Sequence, residues 1–170
     1  RKQNFNKIIV SDFSYGVVTH SVMEKIYISA PTVRNRISGD SQTGSQIGDI
    51  GKFKKIGNLF PNETEARTFL NDRHSTLDII GRRVFDELRP ENLFLTMGKD
   101  GFLLISKKKS SDNVTRSYFP ALSTQAVDVS GSGDALMSVA NLASAVNDDL
   151  NAVSILASIA AAIAVGRIGN

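Results

Sequence analysis

The chain has 170 residues, no cysteine, and 20 basic against 17 acidic side chains, for a net charge of +3. This length suits one compact domain or a large piece of one. Lacking cysteine, it can form neither disulfides nor cysteine-based zinc sites, which fits a cytoplasmic protein. Its basic residues are scattered apart from Lys107-Lys108-Lys109, read as a solvated hairpin turn, so the basic face of a nucleic-acid binder is missing. The chain opens with Arg1 and no signal-peptide pattern, and we expect a piece of a longer protein.

Lys7 to Ser11 is a short apolar run ending at Asp12 and predicts a buried strand. A helix is expected from about Thr19 to Ile28, broken at Pro31, and a short strand over Arg36 to Asp40. Ser41 to Gly51 is polar and glycine-rich and reads as a loop. A strand at Asn58 to Phe60 leads into a helix begun by Pro61-Asn62, with Ala66, Phe69 and Leu70 on one face. A second helix over Thr76 to Leu88 stops at Pro90. Strands are predicted at Leu93 to Thr96, Phe102 to Ser106 and Thr115 to Phe119. A glycine-rich turn over Asp128 to Gly133 precedes helices at Ser132 to Val146 and Leu150 to Val165. The last helix contains Asn151, Ser154 and Ser158 among small alanines, so it reads as a buried core helix rather than a membrane span. The alternation of strands and helices predicts an α/β layered fold with a mostly parallel sheet.

Three short segments carry the chemistry. In Asp128-Val129-Ser130-Gly131-Ser132-Gly133-Asp134, two glycines let backbone N–H groups approach an anion, and the following helix adds its positive end. Asp134 falls in the first helical turn, where a carboxylate could take a proton from an attacking hydroxyl. A capped helix after a glycine-rich turn reads this loop equally well. Thr96-Met97-Gly98-Lys99-Asp100-Gly101 lies between strands, where a hairpin turn is the plain alternative. Asn62-Glu63-Thr64-Glu65 opens a helix, and alone it is a capping-box pattern.

In their order and spacing, these segments resemble the N-x-x-E, T-x-G-x-x-G and D-x-x-G-x-G-D motifs of the ribokinase or PfkB carbohydrate-kinase family. The resemblance implies a ribokinase-like three-layer α/β/α sandwich, of which residues 1–170 form the C-terminal half, without the N-terminal half and lid. It implies Asp134 as base and Gly131, Ser132 and Gly133 as an anion hole. It implies ATP bordered by Thr96, Gly98, Gly101, Asp128, Ser158 and Ala161, and Mg²⁺ organised by Asn62 and Glu65, largely through water. A monovalent cation and, in the full-length protein, a homodimer are compatible with the family. Such a piece alone is expected to show little activity.

Within the family, Ser11 to Val17 and Ala160 to Gly169 are most similar to the heptose-phosphate kinase branch of ADP-heptose synthesis. The departures are Tyr15 and the Asp40 to Gln46 loop, each standing where the branch has lysine, and Ser158 where it has Asn. The resemblance implies transfer of the γ-phosphate of ATP to a hydroxyl of a sugar or sugar phosphate, a heptose 7-phosphate included, while these departures leave open a neutral sugar or polyol bound by Asp12, Asp40, Ser41 and Gln42. They also motivate a second reading, a non-catalytic kinase-fold module that binds a nucleotide or a partner. No H-x-G-H-type nucleotidyltransferase motif occurs in the chain. His20 and His74 are expected to be solvated, without chemistry.

Overall fold

A computed structural model of the chain describes residues 5–29, 31–43, 46–107, 114–123 and 127–166. Its centre is a six-stranded sheet in simple sequence order. The strands are β1 (Ile8–Asp12), β2 (Ile37–Ser41), β3 (Asn58–Leu59), β4 (Asn92–Thr96), β5 (Phe102–Lys107) and β6 (Val114–Phe119). β1 to β4 pair in parallel, while β5 and β6 are added antiparallel. The sheet is therefore mixed, with its parallel part, β1 to β4, making up most of it as expected. Too few residues separate Thr96 from Phe102 for a parallel crossover, so the chain must turn straight back. Lys108 and Lys109 of the predicted lysine turn lie outside the described residues.

The helices are α1 (His20–Ser29), α2 (Glu63–Leu70), α3 (Leu77–Leu88), α4 (Ser132–Ser144) and α5 (Leu150–Val165). α1 connects β1 to β2, and α2 and α3 together connect β3 to β4, while β2 and β3 are joined without an α-helix; the parallel strands are added in one direction. Right-handed crossovers then place all three on one face. Met23 and Tyr27 of α1, Ala66 of α2 and Ile80, Val84, Phe85 and Leu88 of α3 form one core there, against Ile37, Leu59, Leu93, Leu95 and Ile105. α4 and α5 cover the opposite face, where Leu136, Met137, Ala140, Val153 and Ala157 meet Phe60, Phe94, Phe102 and Leu104. Alternate residues of β4 thus serve opposite cores, as the period-2 geometry of a strand requires. The result is the expected three-layer sandwich.

α5 buries only one side: Val153, Ser154, Ala157 and Ser158 are buried, whereas Ile155, Leu156, Ile159 and Ile163 are exposed. It is thus half-buried rather than the core helix its composition suggested. Among the described residues no helix is long and apolar enough to cross a membrane. A buried polar chain pins α4 to the sheet. Asn92 Nδ2 donates to Asn58 Oδ1 (2.8 Å), Asn58 Nδ2 donates to Ser38 Oγ (3.1 Å), and Ser38 Oγ donates to Asn141 Oδ1.

Candidate active site

In a parallel sheet the C-terminal strand ends open onto a crevice that helices do not cover. Here Asp40 and Ser41 close β2, Phe60 follows β3 and Thr96 closes β4, and the N-terminus of α4 reaches the same edge. Two cavities lie there. The smaller, about 230 Å³, is lined by Asp40, Gln42, Thr43, Phe60, Asn62, Glu65, Thr96, Gly131, Gly133 and Asp134. The larger, about 490 Å³, has walls that include Gly98, Lys99, Gly101, Ser132, Leu136, Ser158, Ala161 and Val165. Asn62, Thr96 and Gly133 border both, so the cavities meet where α4 begins. A floor of stacked rings supports them, with Phe60 and Phe94 centroids 4.6 Å apart and Phe102 and Phe119 centroids 5.1 Å apart.

The loop before α4 adopts the geometry its glycines allow. Gly131, at the N-cap, is left-handed (φ 73°), a region that costs a side-chain-bearing residue about 1 kcal/mol or more. The turn delivers Gly133 and Asp134 into the first helical turn, where the helix offers their amides no acceptor. A Cβ built on Gly133 would meet nothing within 4 Å, so this backbone faces open space. Asp134 Oδ1 accepts a hydrogen bond from Gln42 Nε2 (3.1 Å).

The Asn62 to Glu65 segment is a complete capping box. Asn62 Oδ1 accepts from Glu65 N (2.9 Å) and Glu65 Oε2 accepts from Asn62 N (2.8 Å). The other oxygen of Glu65, Oε1, accepts from Thr43 N (3.0 Å), which ties the β2–β3 loop to α2. Both Glu65 oxygens therefore already carry backbone donors, and a cation beside them would be reached through water. Thr96 joins the same edge through an isolated bridge to Asn62 and through its amide to Pro61 O (2.9 Å). Gly101, at φ 90°, lets β5 start against Phe119, where a Cβ would lie 2.0 Å from the Phe119 carbonyl oxygen.

Three carboxylates, Asp40, Glu65 and Asp134, border the smaller cavity. Burial, then the neighbouring charges of Glu65 and Asp134, pushes the Asp40 carboxyl up to about 7. Burial also raises Glu65, against the pull of its backbone donors. Among the described residues Lys99 is the one basic side chain lining either cavity.

Three expected site residues lie elsewhere. Asp12 is buried away from both cavities, in an ion pair with Lys52 and accepting from Ser41 Oγ (3.0 Å) and Ser14 N (3.0 Å). Burial alone would raise its carboxyl, but Lys52 and the hydrogen bonds to Ser14 and Ser41 hold it below the usual range. Ser41 is spent on that carboxylate and on accepting from Asp49 N (3.1 Å). Asp128 accepts from Ser130 N (2.9 Å), shaping the turn rather than lining a cavity. Ser158 does line the larger cavity, but its hydroxyl bonds back to Ser154 O (2.9 Å) and leaves that wall apolar. His20, by contrast with its expected solvation alone, meets Asp49 at 2.6 Å on the surface.

Residues 52–170 match the model of the pfkB family of carbohydrate kinases. The chain belongs to that family. The bifunctional protein HldE of Desulfatibacillum aliphaticivorans is 30% identical over 166 residues, covering 95% of this chain and 32% of that protein. The ribokinase of Thermotoga maritima is 25% identical, with a TM-score of 0.64 over 78% of this chain and 43% of that one. The Arabidopsis thaliana ribokinase, solved with ribose and ATP, has a TM-score of 0.73 at 18% identity over 96% of this chain and 51% of its own. The chain thus spans about a third of its curated relative and about half of these kinases, and its fold is ribokinase-like.

As a pfkB family member, the chain gathers all but three of the predicted site residues at one sheet edge. Thr43, Phe60, Lys99 and the Pro120 to Ser123 segment also line the cavities but were not predicted. Pro120 directly follows β6, and a strand ending in proline beside Gly101 was the available sign.

Proposed function

We propose that the chain is the C-terminal half of a kinase domain that transfers the γ-phosphoryl group of ATP to a hydroxyl of a sugar or sugar phosphate. The observation that carries this reading is the meeting of the two cavities at Gly133, with Asp134 in the smaller one. The larger cavity suits a nucleotide. Leu136, Ala161, Ala162 and Val165 offer a small-residue apolar wall for a flat base, and Lys99 can meet phosphate charge. The smaller cavity suits the acceptor and the transferring group.

In this arrangement the acceptor hydroxyl lies beside Asp134. Its oxygen forms the new bond to the γ-phosphorus, its proton passes to the Asp134 carboxylate, and the bond to the departing ADP oxygen breaks. The amides of the Gly131 to Gly133 turn and the positive end of α4 face the charge on the phosphoryl oxygens. Asn62 and Glu65 would hold Mg²⁺ through water, consistent with the occupied oxygens of Glu65, and the ion supplies charge neutralisation on the phosphates. Asp40 and Gln42 face the acceptor side.

The smaller cavity holds carboxylates and no cationic side chain among the described residues, which favours a neutral sugar or polyol over a phosphorylated acceptor from this half of the site. A panel of neutral sugars, polyols and sugar phosphates, assayed for ADP release with the complete polypeptide, tests the proposal. Sugar-dependent ADP release with a neutral acceptor is expected. ATP binding without transfer to any member of the panel would instead support the non-catalytic module.

A further inference from the structure

Gln42 stands just past β2, and Asp134 opens α4, 92 residues later; their side chains meet at 3.1 Å between Gln42 Nε2 and Asp134 Oδ1. The backbone that presents Gln42 is fixed on both sides. Gln42 N donates to Asp12 O (2.8 Å), and Gln42 O accepts from Ser14 Oγ (2.8 Å). Asp12 is itself held by the buried Lys52 ammonium, which also donates to Val18 O (3.0 Å). A buried ion pair therefore anchors the residue whose amide reaches the carboxylate. The Gln42 side chain also interacts with the carboxyl of Asp40, so its amide lies between two acidic groups.

We infer that Gln42 is a positioning residue, and that its amide holds Oδ1 of Asp134 so that Oδ2 faces the acceptor hydroxyl. This inference rests on the kinase reading of the same site. A carboxylate on a single Cα–Cβ stem can rotate, and a misaligned base loses much of the advantage of proximity. Asp40 and Glu65 line the same cavity as Asp134. Gln42 thus acts through Asp134 rather than as a ligand of the sugar, the role its place in the loop first suggested.

The test compares Gln42→Leu and Gln42→Lys with the parent in the complete polypeptide, using the most active acceptor of the sugar panel. Gln42→Leu removes the donor and is expected to lower kcat about 10- to 100-fold, with KM for ATP and for the acceptor changed less than about threefold. Gln42→Lys keeps a donor between the two carboxylates and is expected to recover most of kcat. A raised acceptor KM with unchanged kcat in Gln42→Leu would make Gln42 a sugar ligand and overturn the inference, as would equal kcat losses in both variants. A second readout does not depend on turnover. The side-chain amide proton resonance of Gln42, located by its loss in Gln42→Leu, should move upfield in Asp134→Ala. No movement overturns the contact. An inactive parent in which the resonance does move sinks the kinase reading while leaving the contact standing.

Discussion

At Gly133 a missing side chain separates folding from chemistry. The residue is helical, and a Cβ there would meet open space rather than protein. Gly133→Ala should therefore raise stability by about 0.5 to 1 kcal/mol, the helix-propensity difference. On the proposed function the added methyl would project where the phosphoryl group is taken to approach, so transfer should fall sharply while the melting temperature rises; calorimetry and an ADP-release assay on the complete polypeptide read the two effects. Asp40 gives a prediction of a different kind. Its carboxyl titrates near 7 in the folded chain against 3.8 as its ordinary value. The folded state thus binds the proton more tightly, and stability falls as pH rises from about 4 to about 7. The loss is bounded by about 4 kcal/mol. Denaturant unfolding across that range should show the slope, and Asp40→Asn should flatten it. The residue types of Asp12, Ser41 and Asp128 did not reveal their placement. An aspartate ending a strand looks the same in sequence whether it faces a cavity or a buried lysine, and Lys52 is 40 residues away from Asp12.

At the scale of elements, α4 matters most, because its first turn carries Asp134 and its third is pinned to the sheet. Asn141 accepts from Ser38 Oγ and donates to Met137 O (2.8 Å), and both ends of this contact are buried. Asn141→Ala would leave the Ser38 hydroxyl proton without its acceptor and remove the longer contact from Asn58 Nδ2 (3.5 Å). The expected cost is about 1 to 3 kcal/mol for the unpaired hydroxyl, with some added for the cavity. Urea unfolding should show this loss; an unchanged midpoint would mean the polar chain does not hold the helix. The helices and strands themselves were readable within a few residues, since periodicity, Pro31, Pro90 and the Asn62 capping box mark them locally. The buried polar chain was not readable: it joins β2, β3, β4 and α4 through residues up to 103 apart, and serine or asparagine in a strand gives no sign of its partner.

For the whole molecule, the order of the parallel strands decides where chemistry can occur. Four strands end at one edge, three connecting helices cover one face, and the two final helices leave that edge open near the start of α4. The three motifs, widely separated in sequence, meet there because each follows or caps an element that stops at the same edge. The short distance between β4 and β5 made the antiparallel addition legible, whereas the half-exposed face of α5 could not be told from its apolar composition. Gln42 was legible as a site residue but not as a partner of Asp134. The central claim is that Asp134 takes the acceptor's proton while the nucleotide is held by other groups. Its most direct test is Asp134→Asn in the complete polypeptide, with kcat and the ATP dissociation constant measured side by side. The account predicts a kcat loss of about 10²- to 10⁴-fold with ATP affinity changed less than about threefold. Retained turnover in Asp134→Asn would contradict it.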